Sequence, residues 1–299
     1  MSASAIRDAV FLGEGSIQSL FSQAGHFMKY EFEKPKIKLD TGMLIISIDV
    51  DVGNKELGKI NRGKNDTNVN RFLSEYSIGA IEELALPIFT TLFDEFEVPV
   101  TFAVRGQWLE FPNLALDYLL KSSIKHDIGA HGYTHRRFWH MSPEEAGIEL
   151  AKISNAMKSH NIDPVSFVFP GNVIAHLKTL PKYGYVCYRE YGDLLKDGMY
   201  IRRHNCLWDV HPSLYIEKHT NFSCVRGILD ICISRKLPFH MWFHVWNFGQ
   251  TQGSMQKVLK SLFYPLLRYA KLRAKSGELA FETMASAVQT VKARTDHPL

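Results

Sequence analysis

Asp49 and Asp51 lie two residues apart at the end of one apolar run, and His131 and His135 lie four apart at the end of another. On a strand, residues i and i+2 share a face, so both carboxylates can converge on one point. Two such carboxylates repel when ionised unless a cation or proton intervenes, which favours a metal on one and a proton-accepting role for the other. Neutral imidazoles are good ligands for zinc and similar divalent cations. One carboxylate, of Asp49 or Asp51, with the two imidazoles of His131 and His135 leaves a coordination position open for water, as hydrolytic metal sites require. Each pattern alone has a plainer explanation: a D-x-D also suits a solvated turn, and thirteen histidines include incidental pairs. Joint placement at strand ends is what favours a shared site.

Two further runs end in reactive residues. Pro170 and Gly171 in Phe169-Pro170-Gly171-Asn172 fix a turn, where a backbone N–H of Gly171 or Asn172 can face a developing oxyanion; an ordinary β-turn has the same composition. His244 sits in FHMWFHVWNFG among Trp242, Phe243, Trp246 and Phe248. A histidine in an aromatic wall can protonate a leaving amine while the rings hold a sugar, although a buried core histidine fits the same string.

The elements that must position these residues are legible as short apolar runs. MLIISID from Met43 is continuous and suits a strand buried on both faces. Others follow at 98–104, 127–131, 166–169, 185–188, 240–245 and 278–283. Amphipathic stretches separate most of them, notably Ala80 to Phe96 and Pro143 to His160. The second opens with Ser142 as N-cap, proline at the first helical position and Glu145 three residues after the cap. Strands alternating with helices imply parallel βα units, and about seven of them predict a barrel. Barrel chemistry sits at the C-terminal strand ends, which is where the candidate residues fall. No glycine-rich nucleotide-binding pattern opens a helix. Residues 1–40 are expected to form an arm or helical cap and 41–299 the barrel domain.

The chain of 299 residues, 45% apolar, can bury one large core. Thirty-five basic against 31 acidic residues give a formal charge of +4, too weak and dispersed to indicate nucleic acid. The four cysteines, Cys187, Cys206, Cys224 and Cys232, lack a C-x-x-C pair or secretory framework and are expected to be reduced. Neither a signal-type N-terminus nor a transmembrane run is evident, so a cytoplasmic protein is expected. The segment Gln256 to Lys275 is basic and amphipathic, fitting either peripheral contact with an anionic membrane or an outer barrel helix, with Pro265 expected to interrupt it. The polar stretch from Gly53 to Asn70 follows the D-x-D run and fits either a cleft loop or a disordered insertion.

Taken in order, from about Met43 to Met284, these motifs resemble the polysaccharide deacetylases, carbohydrate esterases with the NodB-homology fold. The resemblance implies a distorted (β/α)7-type barrel and one divalent metal ion, with zinc the first choice. S-I-D-V-D resembles the subgroup with one residue between the two acids, so Asp49 maps to the catalytic base and Asp51 to the metal ligand. His131, Thr134 and His135 match the H-x-x-[ST]-H ligand motif. The family's R-x-P-x-G motif survives only as Phe169 to Asn172, with Val168 where the arginine would stand; Arg189 is the candidate replacement that orients the base. His244 maps to the catalytic acid, and Asp193 and Asp209 are candidate partners for it. The implied reaction removes an N-acetyl group from a sugar or glycan. Hydrolysis of a non-sugar C–N bond, or glycan binding without catalysis, are the alternatives.

Overall fold

The computed structural model describes residues 39–50, 84–110, 114–190, 198–248 and 251–295. Asp51, the 53–70 loop, Asp193 and all but the last two residues of the expected 1–40 arm lie outside the described residues.

Strand β1 (Gly42–Val50) is buried along its whole length, as its unbroken apolar run requires. Alternation divides its side chains between two cores. Leu44, Ile46, Ile48 and Val50 join the large core between sheet and helices, while Met43 and Ile45 join a smaller one inside the curl of the sheet. Ser47 and Asp49 continue that inner face toward the C-terminal end of the strand.

Parallel neighbours extend from β1 in both directions. On one side come β2 (Thr101–Val104), β3 (Asp127–Ala130), β4 (Ser166–Val168) and β5 (Cys187–Arg189). On the other lies β9 (Pro238–His244), flanked in turn by β8 (Leu214–Tyr215). β10 (Leu279–Glu282) pairs with the first half of β1. Beyond β5, the antiparallel hairpin of β6 (Ile201–His204) and β7 (Leu207–Val210) completes a 10-stranded sheet. The sheet curls into the distorted barrel expected, and His240 of β9 meets the Val210 carbonyl of β7 at 3.1 Å.

All seven expected runs become strands. β6, β7 and β8 do not announce themselves in the sequence: Arg202, Arg203 and His204 break any apolar run in β6, and β8 is only two residues long. The hairpin signal is Asn205, whose left-handed backbone (φ 57°) makes the turn.

Helix α1 (Leu86–Glu95) buries Leu86, Phe89, Leu92 and Phe93, each worth roughly 1.5–3 kcal/mol relative to exposure. Phe89 packs with Phe243, Phe248 and Phe263 at 4.9–5.9 Å between ring centres, clamping the outer face of β9 beside His244. After the short helices α2 (Gly106–Leu109) and α3 (Leu114–Leu120), α4 (Pro143–Lys158) opens with the reciprocal Ser142–Glu145 capping box. α5 (Phe222–Arg235) leads into β9.

Pro265 does not interrupt the basic segment. α6 (Gln252–Val258) passes through a π-helical turn, Leu259–Phe263, directly into α7 (Tyr264–Lys275). The proline sits in the first turn of α7, where a missing N–H costs little, and the wider π turn precedes it. Met255, Leu259, Leu262, Phe263, Leu266 and Leu267 are all buried in the main core, so the apolar stripe of this segment is used by the fold. Among the described residues, no helix is long and apolar enough to cross a membrane. α8 (Met284–Thr295) lays Met284, Ala287, Val288 and Val291 against the inner core residues Met43, Ile45, Cys187 and Trp208.

Candidate active site

Asp49 ends the inner face of β1 and is 1% exposed. Its Oδ2 accepts from Arg189 Nη2 at 2.6 Å and lies 3.9 Å from His131 Nε2 and 3.8 Å from His244 Nε2. Its Oδ1 is buried and has no hydrogen-bond partner among the described residues. Burial pushes the carboxyl pKa up, but the charge of Arg189, then the neighbouring His131 and His244 and the Arg189 hydrogen bond, outweigh it and hold the group below the ordinary aspartate value. The result is an ionised carboxylate with one tethered oxygen and one buried oxygen without a partner among the described residues.

His131, one residue beyond β3, and His135, five beyond it, meet at the C-terminal end of that strand. The His131 ring approaches the Val168 carbonyl through Nδ1 at 2.8 Å. A carbonyl only accepts, so Nδ1 carries the proton and the Nε2 lone pair is directed inward. His135 Nε2 lies 3.1 Å from it. The connecting loop is shaped by two left-handed residues, Gly132 (φ 69°) and His135 itself (φ 64°). Histidine in this region is strained, a cost that clusters at functional loops.

Glu149, which sequence reasoning passed over, pins that loop. Its Oε2 accepts from the backbone N–H groups of Tyr133 (3.0 Å) and Thr134 (2.9 Å), and its Oε1 from the Thr134 hydroxyl. The signal was present: Glu149 falls on the buried face of α4, with Ala146, Leu150 and Ile153. A carboxylate on an apolar helix stripe needs donors, and the loop carrying the two histidines supplies them.

Arg189 is fully buried. Besides Asp49 it donates to Ser47 Oγ at 2.8 Å and to Asn172 Oδ1 at 3.1 Å, and its guanidinium lies 4.2 Å from the Trp242 ring centre. Ser47 is held in turn by His240 Nε2 at 2.8 Å. Burial above all, then the charge of Arg189, lowers the His240 pKa to about 3. A neutral His240 with its proton on Nδ1, facing Val210, therefore accepts from the Ser47 hydroxyl, and Ser47 accepts from Arg189. Trp242 does not offer an open stacking face: it is 5% exposed, with Arg189 and Tyr215 packed against it.

His244, directly opposite Asp49 in the β1–β9 ladder, is stacked on Trp246 at 4.3 Å. Neither candidate acid partners it among the described residues. Asp193 lies outside them, and Asp209 belongs to the opposite face of β7 from the inward Trp208 and Val210. The partner is the Tyr215 hydroxyl, 3.0 Å from His244 Nδ1. Asp209 instead accepts from Arg202 Nε at 3.0 Å, and burial pushes its pKa up to about 6. With Glu190 and His211 it forms a group whose candidate donor atoms lie within 4.8 Å of one another, away from the inner site.

The turn after β4 contributes differently from expectation. The Asn172 N–H is spent on the Phe169 carbonyl at 2.8 Å, so it cannot face an oxyanion; its side chain instead tethers Arg189. Pro170 is buried and Gly171 exposed, with Gly171 left-handed (φ 67°). The turn interlocks with the histidine loop. A Cβ on Gly132 would stand 3.0 Å from Pro170 Cγ, and one on Gly171 would stand 2.9 Å from Arg137 Nε.

Residues 82–186 match the polysaccharide deacetylase family, bearing out the resemblance drawn from the motifs. That span holds His131, His135 and the 169–172 turn, while Asp49, Asp51, Arg189 and His244 lie outside it. The fold is shared with a structure from Pseudomonas aeruginosa PAO1 assigned as a polysaccharide deacetylase, with TM-score 0.65, 11% identity and coverage of 91% of this chain and 98% of that one. A counterpart from Mycobacterium smegmatis gives 0.62, 15%, 88% and 93%. The Puue allantoinase gives 0.62, 12%, 91% and 98%. A search of curated proteins by sequence finds no match.

Proposed function

We propose that this chain is a metal-dependent hydrolase that removes the N-acetyl group from a sugar or glycan. The observation that carries the proposal is the environment of Asp49: one oxygen faces Arg189, His131 and His244 within 4 Å, and the other is buried without a partner. A proton-accepting carboxylate, a histidine able to donate and a pair of convergent imidazoles thus meet at one point, on the face where barrel enzymes place their chemistry.

The donor set suits a divalent cation. His131 directs its Nε2 lone pair inward because Nδ1 is committed to the Val168 carbonyl, the outer-sphere arrangement common to metal-binding histidines. The 3.1 Å between the two Nε2 atoms is close to the separation of nitrogens bound at about 2 Å to one tetrahedral ion. Asp51 is proposed as the third ligand, from its place two residues after Asp49. The ion, for which zinc is the first choice, supplies polarisation of a water and of the substrate carbonyl.

The chain's own residues account for the remaining steps. Asp49, held anionic and oriented by Arg189, accepts the proton of the attacking water on its Oδ1. The Gly171 N–H is proposed to steady the developing oxyanion. His244 donates a proton from Nε2 to the departing amine, as the C–N bonding pair moves to nitrogen and acetate is released. Trp246, partly exposed beside His244, is the proposed sugar-facing ring.

Zinc or cobalt titration of the purified chain, followed by acetate release from N-acetylglucosamine oligomers, lipid-linked sugars and small amides, tests this reading. Metal uptake with acetate released from acetylated sugars supports it. The equally good fold match to an allantoinase favours a second reading, hydrolysis of a non-sugar C–N bond, and turnover of small amides alone would select it. Metal uptake with no release from any substrate points to glycan binding without catalysis.

A further inference from the structure

We infer that Tyr215 and Asn247 form a neutral relay that fixes the tautomer of His244. This rests on the acid role proposed above for its consequence in turnover, but not for the tautomer itself. Asn247 Nδ2 donates to the Ile216 carbonyl at 2.7 Å. That bond settles the orientation of the amide and leaves Oδ1 as an acceptor. The Tyr215 hydroxyl donates to this Oδ1 at 3.1 Å. Its proton is therefore committed, and the phenolic oxygen can only accept from the imidazole nitrogen 3.0 Å away, His244 Nδ1.

Every donor in the chain points the same way, from His244 to Tyr215 to Asn247 to the Ile216 backbone. The neutral imidazole so held carries its proton on Nδ1 and leaves Nε2 as the working nitrogen, 3.8 Å from Asp49 Oδ2. Packing holds the rings in place: Trp246 stacks on His244 with an interplanar angle of 23°, and Trp242 lies 4.3 Å from Tyr215.

The proposed proton transfer needs this arrangement. His244 enters as imidazolium, gives the Nε2 proton to the leaving nitrogen while that nitrogen takes the C–N bonding pair, and ends as the Nδ1–H tautomer. That product form is the one the Tyr215 oxygen stabilises. A carboxylate at this position would hold the imidazolium more strongly, whereas a phenol orients the ring without adding a negative charge. Tyr215 and Asn247 are thus positioning residues.

The test uses the full chain with 15N-labelled histidine, the His244 signals being assigned by difference from His244→Gln. Wild type is expected to show the Nδ1–H tautomer. Tyr215→Phe removes the acceptor, and the Nδ1–H signature is expected to give way to a mixture. Asn247→Leu frees the Tyr215 hydroxyl to donate to Nδ1, and His244 is expected to switch to the Nε2–H form. If the acid role also holds, Tyr215→Phe lowers kcat about tenfold with KM little changed. An Nδ1–H signature unchanged in either folded variant overturns the relay. Should wild type hydrolyse no substrate, the functional reading fails while the tautomer measurement still decides this one.

Discussion

Arg189 on β5 lies directly opposite Val168 on β4, and from there its guanidinium reaches Asp49 Oδ2 at 2.6 Å. Val168 occupies the place where the family resemblance expects an arginine. On that resemblance Arg189 would supply the cation from one strand sideways at the same height of the barrel, a step of about 4.8 Å. Arg189→Val is therefore expected to leave Asp49 buried without its counter-charge, costing about 3–5 kcal/mol of stability by analogy with broken buried pairs. It should also lower turnover at least a hundredfold. Combining it with Val168→Arg should recover part of both losses, read by denaturant titration and acetate release. Absence of any recovery in a folded double variant would show that the strand, and not only the height, matters.

Asp49→Asn keeps the side-chain shape but removes the proton acceptor. Metal content by elemental analysis is expected to match wild type, while turnover falls by roughly 10²–10⁴. Near-normal turnover would remove Asp49 from the base role. His131→Ala and His135→Ala should do the opposite at the first step, lowering metal content itself, and unchanged stoichiometry in both would sink the ligand assignment.

Glu149→Ala strands the N–H groups of Tyr133 and Thr134 that its carboxylate now accepts. A destabilisation on the order of 3 kcal/mol is expected. Because those residues lie between the two histidines, zinc affinity should weaken as well. Thermal melts with and without zinc measure both effects, and a variant that loses stability yet binds zinc with unchanged affinity would separate the loop from the ligands.

His240 gives a pH dependence with a defined sign. Its pKa is lowered to about 3 in the fold, against roughly 6.5 in the unfolded chain. Between those values the unfolded state holds a proton that the folded state lacks, so stability falls as the pH drops through this window and is fully present above it. At pH 5 this amounts to about 2 kcal/mol. His240→Gln should lose correspondingly less stability than wild type between pH 7.5 and 5 in denaturant titrations. Parallel curves for the two proteins would contradict a buried neutral His240.

The inner face of the barrel was legible wherever an apolar run stopped at a reactive residue, as at Asp49, His131 and His244. Spacing on one strand suffices there, because alternation alone decides which way a side chain points. Arg189 was legible as a candidate from the gap left at Val168. Its hold on Ser47 and Asn172 was not, since those contacts cross between strands whose register no local pattern encodes. Tyr215 does not stand out in the sequence because β8, two residues long, is too short to display a period. Glu149 was visible in hindsight as a charge on a buried helical stripe. Asp51 remains a reading of the sequence.

The paired glycines carry one more consequence. Gly132 leaves the room that Pro170 fills, and Gly171 leaves the room that Arg137 fills, so each loop is cast in the mould of the other. The two rims are thereby packed against each other at both points. A side chain added at Gly171, in the turn after β4, is accordingly expected to strain the left-handed backbone there and to push on Arg137, two residues past His135 in the loop after β3.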